Sequence, residues 1–340
     1  MSGFTILIAI IGVFTSLFCK EEISALHSNY YKQKFYQPLY PIELKTFQNN
    51  SVNFQTFLTK HNYHSKLKPL IGQVTENSLD MEPVFDLLVR LSNEIEKSEH
   101  LILATDEILA KIVAYRQLKV GQKIPVPCTS SKGKVKLVMY KVDKVFSLLG
   151  MPAFGLIPSK KKAPSILLFR GTDLSLSMKG TSSILADLDL NGPGVIAYHA
   201  TQDEIRSWIE EKNKKYSKAR AIGYSLGGAL VEYCALFDGD LLSKDERFPS
   251  TAFNQPGVSQ DYAFKWNSLK SKPLLTGYIV EGDLVSIVGK LIGKVSELTL
   301  DRPLEPLDAH VTLMSLQNRL YQYQIDVTLK NELDYSAKCD

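Results

Sequence analysis

Between residues 219 and 237 the sequence reads ARAIGYSLGGALVEYCALF. An apolar run of β character ends at Tyr224, Ser225 stands between Gly223 and Gly227, and a helical apolar run opens at Leu226. A strand that turns straight into a helix through a serine crowds both elements at the turn, and the flanking positions then have no space for a Cβ atom. Gly228 and Ala229 extend the small surface, so the helix can lie close on a sheet with its first amides near the serine. By composition alone Gly-x-Ser-x-Gly occurs in about one chain in ten of this length. Its place between a strand and a helix is what gives it meaning here.

The neighbouring segments extend the same pattern. SILLFRGT is a buried strand ending in a glycine turn, TQDEIRSWIEEKNKKY an amphipathic helix with Ile205, Trp208 and Ile209 inward, and ARAIGYS the next strand. The helix LGGALVEYCALF follows, then PSTAFNQPGVS and PLLTGYIVEGD as further strand and loop units. Strands alternating with helices predict an α/β fold built on a mostly parallel central sheet. Upstream, KVKLVMYKV alternates as a half-exposed strand. EPVFDLLVRLSNEIEK places Val84, Leu87, Leu88, Leu91 and Ile95 at helical spacing, and TDEILAKIVAYRQL forms a helix opening on an N-capping Thr105. These helices cover something. Residues 21 to 77 are rich in Tyr, Phe, Asn, Gln and His with no sustained period.

The expected organisation is therefore a leader or anchor at 1–19, a partly helical extension at 20–125, an α/β domain at 126–330 and a tail at 331–340. The apolar stretch from Phe4 to Phe18 has the length of a signal-peptide core and falls short of the roughly 20 residues of a comfortable bilayer span. Export, by secretion or through a retained anchor, is the expectation, with a buried N-terminal helix as the alternative. Two features run against a cleaved leader: no Lys or Arg precedes the stretch, and bulky Phe18 precedes Cys19 where lipoprotein processing wants a small residue.

With 44% hydrophobic and 22% charged residues among 340, the chain is of ordinary globular composition. Its net charge of +4 and its densest basic run, SKKK at 159–162, read as a solvated loop, not a nucleic-acid site. Cys19, Cys128, Cys234 and Cys339 form no CxxC or Cys/His pattern, so neither a metal site nor a disulfide framework is expected. Cys234 reads as a small core residue.

A serine becomes a nucleophile only with a base and an acid at hand. Enzymes built on this turn place an Asp or Glu and then a His downstream. His310 is the sole histidine after Ser225. Asp283 directly follows the predicted strand LLTGYIVEG, at the sheet end where a carboxylate would orient the imidazole. Glu281 is the fallback, while Asp301 and Asp308 sit on a segment with no expected strand before it and read as solvated loop charges. An oxyanion site needs donors from two places: the amide of Leu226 and a loop after an earlier strand, supplied by Thr172 in FRGTD. The alternative for FRGTD is an ordinary turn in which Arg170 makes a surface ion pair and Thr172 caps the next segment.

LLFRGT, SILADLDL, AIGYSLGGALVEYCA, TAFNQPGVS, IVEGDLVS and His310 together resemble the successive landmarks of the class 3, fungal-type lipases, over about residues 134 to 320. The resemblance implies an α/β-hydrolase fold, no cofactor or metal, and hydrolysis of carboxylic esters. It implies Ser225 as nucleophile, Asp283 and His310 completing the triad, Gly223 and Gly227 flanking the elbow, and Thr172 with Leu226 as oxyanion donors. It further implies a lid over an apolar acyl pocket at residues 173–188, for which a static packed loop is the alternative reading. The chain departs from the family in carrying Tyr224 where a histidine is usual and Gly257 where an arginine is usual. The family's His-x-Gly-Phe element has only Ala197 and Tyr198 as its nearest equivalent, with His199 beside them read as structural.

The expected partner is a lipid or other ester substrate, with contact to a membrane or lipid surface and none to nucleic acid. Two alternatives stand beside a lipase. One is a phospholipase A1, thioesterase or acyltransferase on the same scaffold; the other is a non-catalytic secreted or membrane-attached binding protein that engages its partner through the aromatic N-terminal region.

Overall fold

The computed structural model describes residues 81–94, 98–172, 192–300, 304–314 and 320–325. The expected leader or anchor, the aromatic region up to residue 80, Ile95, the expected lid at 173–188, Asp301, Cys19, Cys339 and the expected tail lie outside them. The described elements run in the order α1 (Glu82–Glu94), α2 (Ser98–Lys111), a 3-10 turn (Val113–Tyr115), β1 (Lys123–Thr129), β2 (Val135–Leu148), β3 (Met151–Pro158), β4 (Pro164–Phe169), α3 (Val195–Asn213), β5 (Ser217–Tyr224), α4 (Leu226–Phe237), β6 (Ser250–Phe253), α5 (Gln260–Ser268), β7 (Leu275–Val280), β8 (Lys294–Leu300), α6 (Pro306–Val311) and β9 (Leu320–Ile325). No helix among the described residues is long and apolar enough to cross a membrane.

The nine described strands form one mixed sheet in sequential order. β1 to β4 are antiparallel neighbours, β4 to β8 are parallel, and β9 closes the far edge antiparallel to β8. The fold is α/β, a mixed central sheet with helices on both faces. Parallel strands laid down in one direction, with right-handed crossovers, send all their connecting helices to the same face. One core accordingly joins α3, α4 and α5 to Leu167, Phe169, Ala221 and Ala252 of the sheet. The opposite face would then be bare, and α1 and α2 cover it. Val84, Leu87, Leu88 and Leu91 of α1 and Leu101, Ala104 and Ile108 of α2 share the second core with Ile166, Leu168, Ile222, Tyr224 and Phe253. Alternate residues of each strand thus serve opposite cores, as a period of two requires.

Several elements differ from the sequence expectation. α2 begins at Ser98, so Thr105 lies inside the helix, fully buried, and does not cap it. The spacing of Leu101, Ala104 and Ile108 carries the helix back past Thr105, and packing outweighs the residue's preference for a cap. α3 likewise starts at Val195, ahead of Thr201, because Val195, Tyr198 and Ile205 lie on one buried stripe. β1, β3, β8 and β9 are not among the expected strands. β3 is buried almost throughout and so shows no alternation, and β8 is held by β7 on one side and β9 on the other. Residue 125, the expected boundary of the extension, falls within β1. In β2 a bulge between Val142 and Lys144 shifts the alternation by one residue. Val138, Tyr140 and Val142 therefore face the core under α2, while Phe146 and Leu148 face that under α3.

Candidate active site

The carboxyl ends of β4, β5 and β7 and the helix α6 converge on one edge of the sheet, the edge where open α/β sheets place their ligands. Ser225 stands at the junction of β5 and α4 with φ +56° and ψ −129°, a conformation that a non-glycine residue holds only when its surroundings impose it. Its amide donates to Phe253 O at 2.9 Å, and its carbonyl accepts from Gly228 at 2.8 Å.

The flanking glycines show why the turn holds. A Cβ on Gly223 would lie 2.1 Å from the carbonyl oxygen of Gly227. A Cβ on Gly227 would lie 2.6 Å from Phe169 O and 3.0 Å from the amide of Gly171. The loop after β4 therefore presses directly on the first turn of α4, which brings Gly171 beside the start of the helix. Leu226 is the first residue of α4, at a position whose amide has no acceptor within the helix.

Ser225, His310 and Asp283 stand in one hydrogen-bonded row. His310 Nε2 is 2.9 Å from Ser225 Oγ, and His310 Nδ1 is 2.9 Å and 3.0 Å from the two carboxylate oxygens of Asp283. All three are buried, at 3%, 2% and 1% exposure. An ionised Asp283 only accepts, so Nδ1 carries the proton and Nε2 is left to accept from the serine hydroxyl. Burial alone would raise the carboxyl pKa of Asp283, but the facing imidazole, Asn254 and Ser286 together hold it below the usual carboxylate range. Asn254 Nδ2 donates at 2.8 Å, Ser286 Oγ at 2.7 Å and the amide of Val285 at 2.9 Å.

Glu281, the fallback acid, is half-buried, with its amide bonded to Leu298 O. Asp308 is exposed on α6, and β8 precedes that segment, contrary to the expectation of no strand there. His199 is exposed on α3, bonded to Gln202 at 3.0 Å and packed 4.6 Å from the ring of Phe237.

Four contributors escaped sequence reasoning. Asn254 binds Asp283 and, through the same nitrogen, the carbonyl of Ala309 at 3.2 Å, so it ties the acid loop to the histidine loop. It holds φ +48°, a region that asparagine tolerates better than most residues, and this was the one signal its sequence offered. Ser286 follows Asp283 by three positions. Tyr224 donates its hydroxyl to His310 O at 3.0 Å and lies 5.0 Å from the imidazole, ring centre to ring centre. Lys111 of α2 lies 5.2 Å from the centre of the Tyr224 ring. Gly257 lies on a loop that pairs with the strand-like segment around Lys290. A Cβ there would lie 2.2 Å from Lys290 C.

Among the described residues no cluster of three or more His, Cys, Asp or Glu could hold a metal ion. The arrangement sets a hydroxyl, an imidazole and a carboxylate in hydrogen-bonded series beside the first turn of a helix.

No protein-family model matches the sequence. No curated protein matches it either. Among solved structures, the chain is similar to a triacylglycerol lipase from Penicillium expansum, at 16% sequence identity and a TM-score of 0.41, over 59% of this chain and 79% of that one.

Proposed function

We propose that the protein is a serine hydrolase of carboxylic esters, with acylglycerols as its foremost substrate class. The single observation that supports this reading most strongly is the row from Ser225 Oγ through His310 to Asp283, with hydrogen-bond distances of 2.9 Å on each side of the imidazole. Ser225 Oγ attacks the acyl carbon while its proton passes to His310 Nε2. The charge that gathers on the carbonyl oxygen is met by the amides of Leu226 and Thr172, with the Thr172 hydroxyl as a further donor. As the C–O bond to the alcohol breaks, Nε2 returns its proton to the leaving oxygen and an acyl-enzyme remains. Water, deprotonated by the same nitrogen, then attacks the acyl carbon and frees the carboxylic acid and the serine. Asp283 stays ionised throughout and holds the imidazolium that forms twice per cycle. Every atom transferred comes from the ester, the water or these side chains.

The preference for acylglycerols rests on the landmarks shared with class 3 lipases. It is tested with short- and long-chain glycerides, a phospholipid and an acyl thioester, each with and without detergent micelles. The expected result is turnover of glycerides that falls by several orders of magnitude in Ser225→Ala. Turnover confined to the thioester or the phospholipid would move the substrate class and leave the chemistry intact. Equal silence of both proteins on every ester would end the reading.

A further inference from the structure

α2 takes no part in the reaction just described, yet two of its side chains reach the segment that carries His310. Lys111 Nζ donates to the carbonyl of Thr312 at 2.6 Å, and the amide of Met314 donates to Glu107 Oε1 at 2.6 Å. The two side chains, one helical turn apart, form an ion pair of 3.0 Å at 3% and 0% exposure. Its partners are more than 200 positions away in sequence, at separations of 201 and 207.

α6 is six residues long and opens on Pro306, too short to fix itself. The position of His310 must therefore come from outside the helix. Asn254 holds the carbonyl of Ala309 and Tyr224 that of His310. Lys111 and Glu107 hold the chain two and four residues further on. Removing two charges from water is costly, and apolar residues of similar volume often pack at least as well. An apolar pair, however, offers no donor for Thr312 O and no acceptor for Met314 N.

We propose that the Glu107–Lys111 pair is a positioning device for His310, fixing the chain just after it so that the imidazole stays aligned between Ser225 and Asp283. This rests on the reading of those three residues as a catalytic triad. Burial holds the Lys111 ammonium pKa below its ordinary value, against the opposite pull of Glu107 and, at longer range, Asp283. The extension ahead of β1 thus belongs to the working parts of the enzyme.

The test compares the full chain with Lys111→Met, Glu107→Gln and the double variant, and with Val84→Ala in α1 as a control for general loss of stability. Each is measured for melting temperature, for kcat and KM on p-nitrophenyl butyrate, and for the low-field proton resonance of His310 Nδ1–H bonded to Asp283. The expected outcome is that Lys111→Met and the double variant lose about tenfold or more in kcat with KM changed by less than about twofold, and that the resonance broadens or disappears. Val84→Ala, at a comparable fall in melting temperature, leaves both unchanged. If a single variant does not fold, the double variant, which leaves no charge unpaired, makes the same comparison. The proposal is overturned if the double variant matches Val84→Ala in kcat and in the resonance. A wild-type protein with neither ester turnover nor the low-field resonance overturns the triad itself, and the positioning role with it.

Discussion

The side-chain amide of Asn254 donates to the carboxylate of Asp283 across 2.8 Å, and both groups are buried. It makes the acid depend on a residue from a different strand end, and it predicts how the site fails. Asn254→Ala removes a donor from a buried carboxylate, at a cost of about 1–3 kcal/mol. It also releases the carbonyl of Ala309, so kcat should fall more than KM rises. Asn254→Asp should do worse at neutral pH, because two facing carboxylates cannot both stay ionised. Kinetics of the two variants on one soluble ester check this; wild-type kcat in both would remove Asn254 from the account.

The carboxyl of Asp283 titrates below its ordinary value in the folded chain. The folded state then binds fewer protons than the unfolded one through the acid range, so the contribution of this group to stability is complete above the unfolded pKa of about 3.9 and is lost as pH falls through the lower folded value. Unfolding free energies of wild type and Asp283→Asn, measured across that range, should draw together as the medium is acidified. A gap independent of pH would show that the carboxylate is not held as described.

Asp106 and Arg220 form a second buried pair, with two hydrogen bonds of 2.7 and 2.8 Å, and Thr251 adds a third to Asp106 at 2.9 Å. The pair fastens α2 to β5 and β6. Asp106→Leu strands the guanidinium and should cost about 3–5 kcal/mol in urea unfolding, whereas Asp106→Leu with Arg220→Met should recover most of that loss. A double variant as unstable as the single one would mean that the pair contributes more than its own neutralisation.

Gly223→Ala sets a methyl group 2.1 Å from a backbone oxygen that has nowhere to go. The variant should lose at least the upper end of the about 1–3 kcal/mol usual for overpacking. Gly133, which has positive φ but nothing within 4 Å of a Cβ, is the comparison; alanine there should cost about 1–2 kcal/mol from backbone strain alone. Equal melting temperatures for the two would mean that the elbow is looser than these distances.

Cys128 and Cys234 are buried free thiols, and burial pushes Cys234 up to about 12. Iodoacetamide applied to the folded protein should leave both unmodified and ester turnover unchanged, as peptide mass mapping would record. Alkylation of either in the native state would contradict the packing of α4 or β1.

Much of this site could be read from residue order, because its central features are local or unique. A serine between glycines at a strand-to-helix junction is a pattern of five residues, and His310 had no competitor downstream. The supporting contacts could not be read in that way. Asn254, Ser286, Tyr224 and Lys111 have roles set by tertiary neighbours, and nothing in TAFNQPGVS or ATDEILAK says that one segment will bind an acid loop and the other a histidine loop. The same holds for the fold. The parallel strands β4 to β7 showed as apolar runs, whereas β3, buried on both faces, and β8, defined by its pairing partners, have no period of their own. That α2 closes the open face of the sheet follows from the strand order, which no single segment encodes.

The proposed chemistry turns on Ser225 as the activated nucleophile. Incubating the protein with a fluorophosphonate, which esterifies only a serine whose proton a base can take, and locating the adduct by peptide mass analysis tests it most directly. One adduct is expected, on the peptide containing Ser225, formed slowly or not at all in His310→Ala. Absence of an adduct on Ser225 in the wild-type protein, or labelling that is indifferent to the loss of His310, would contradict it.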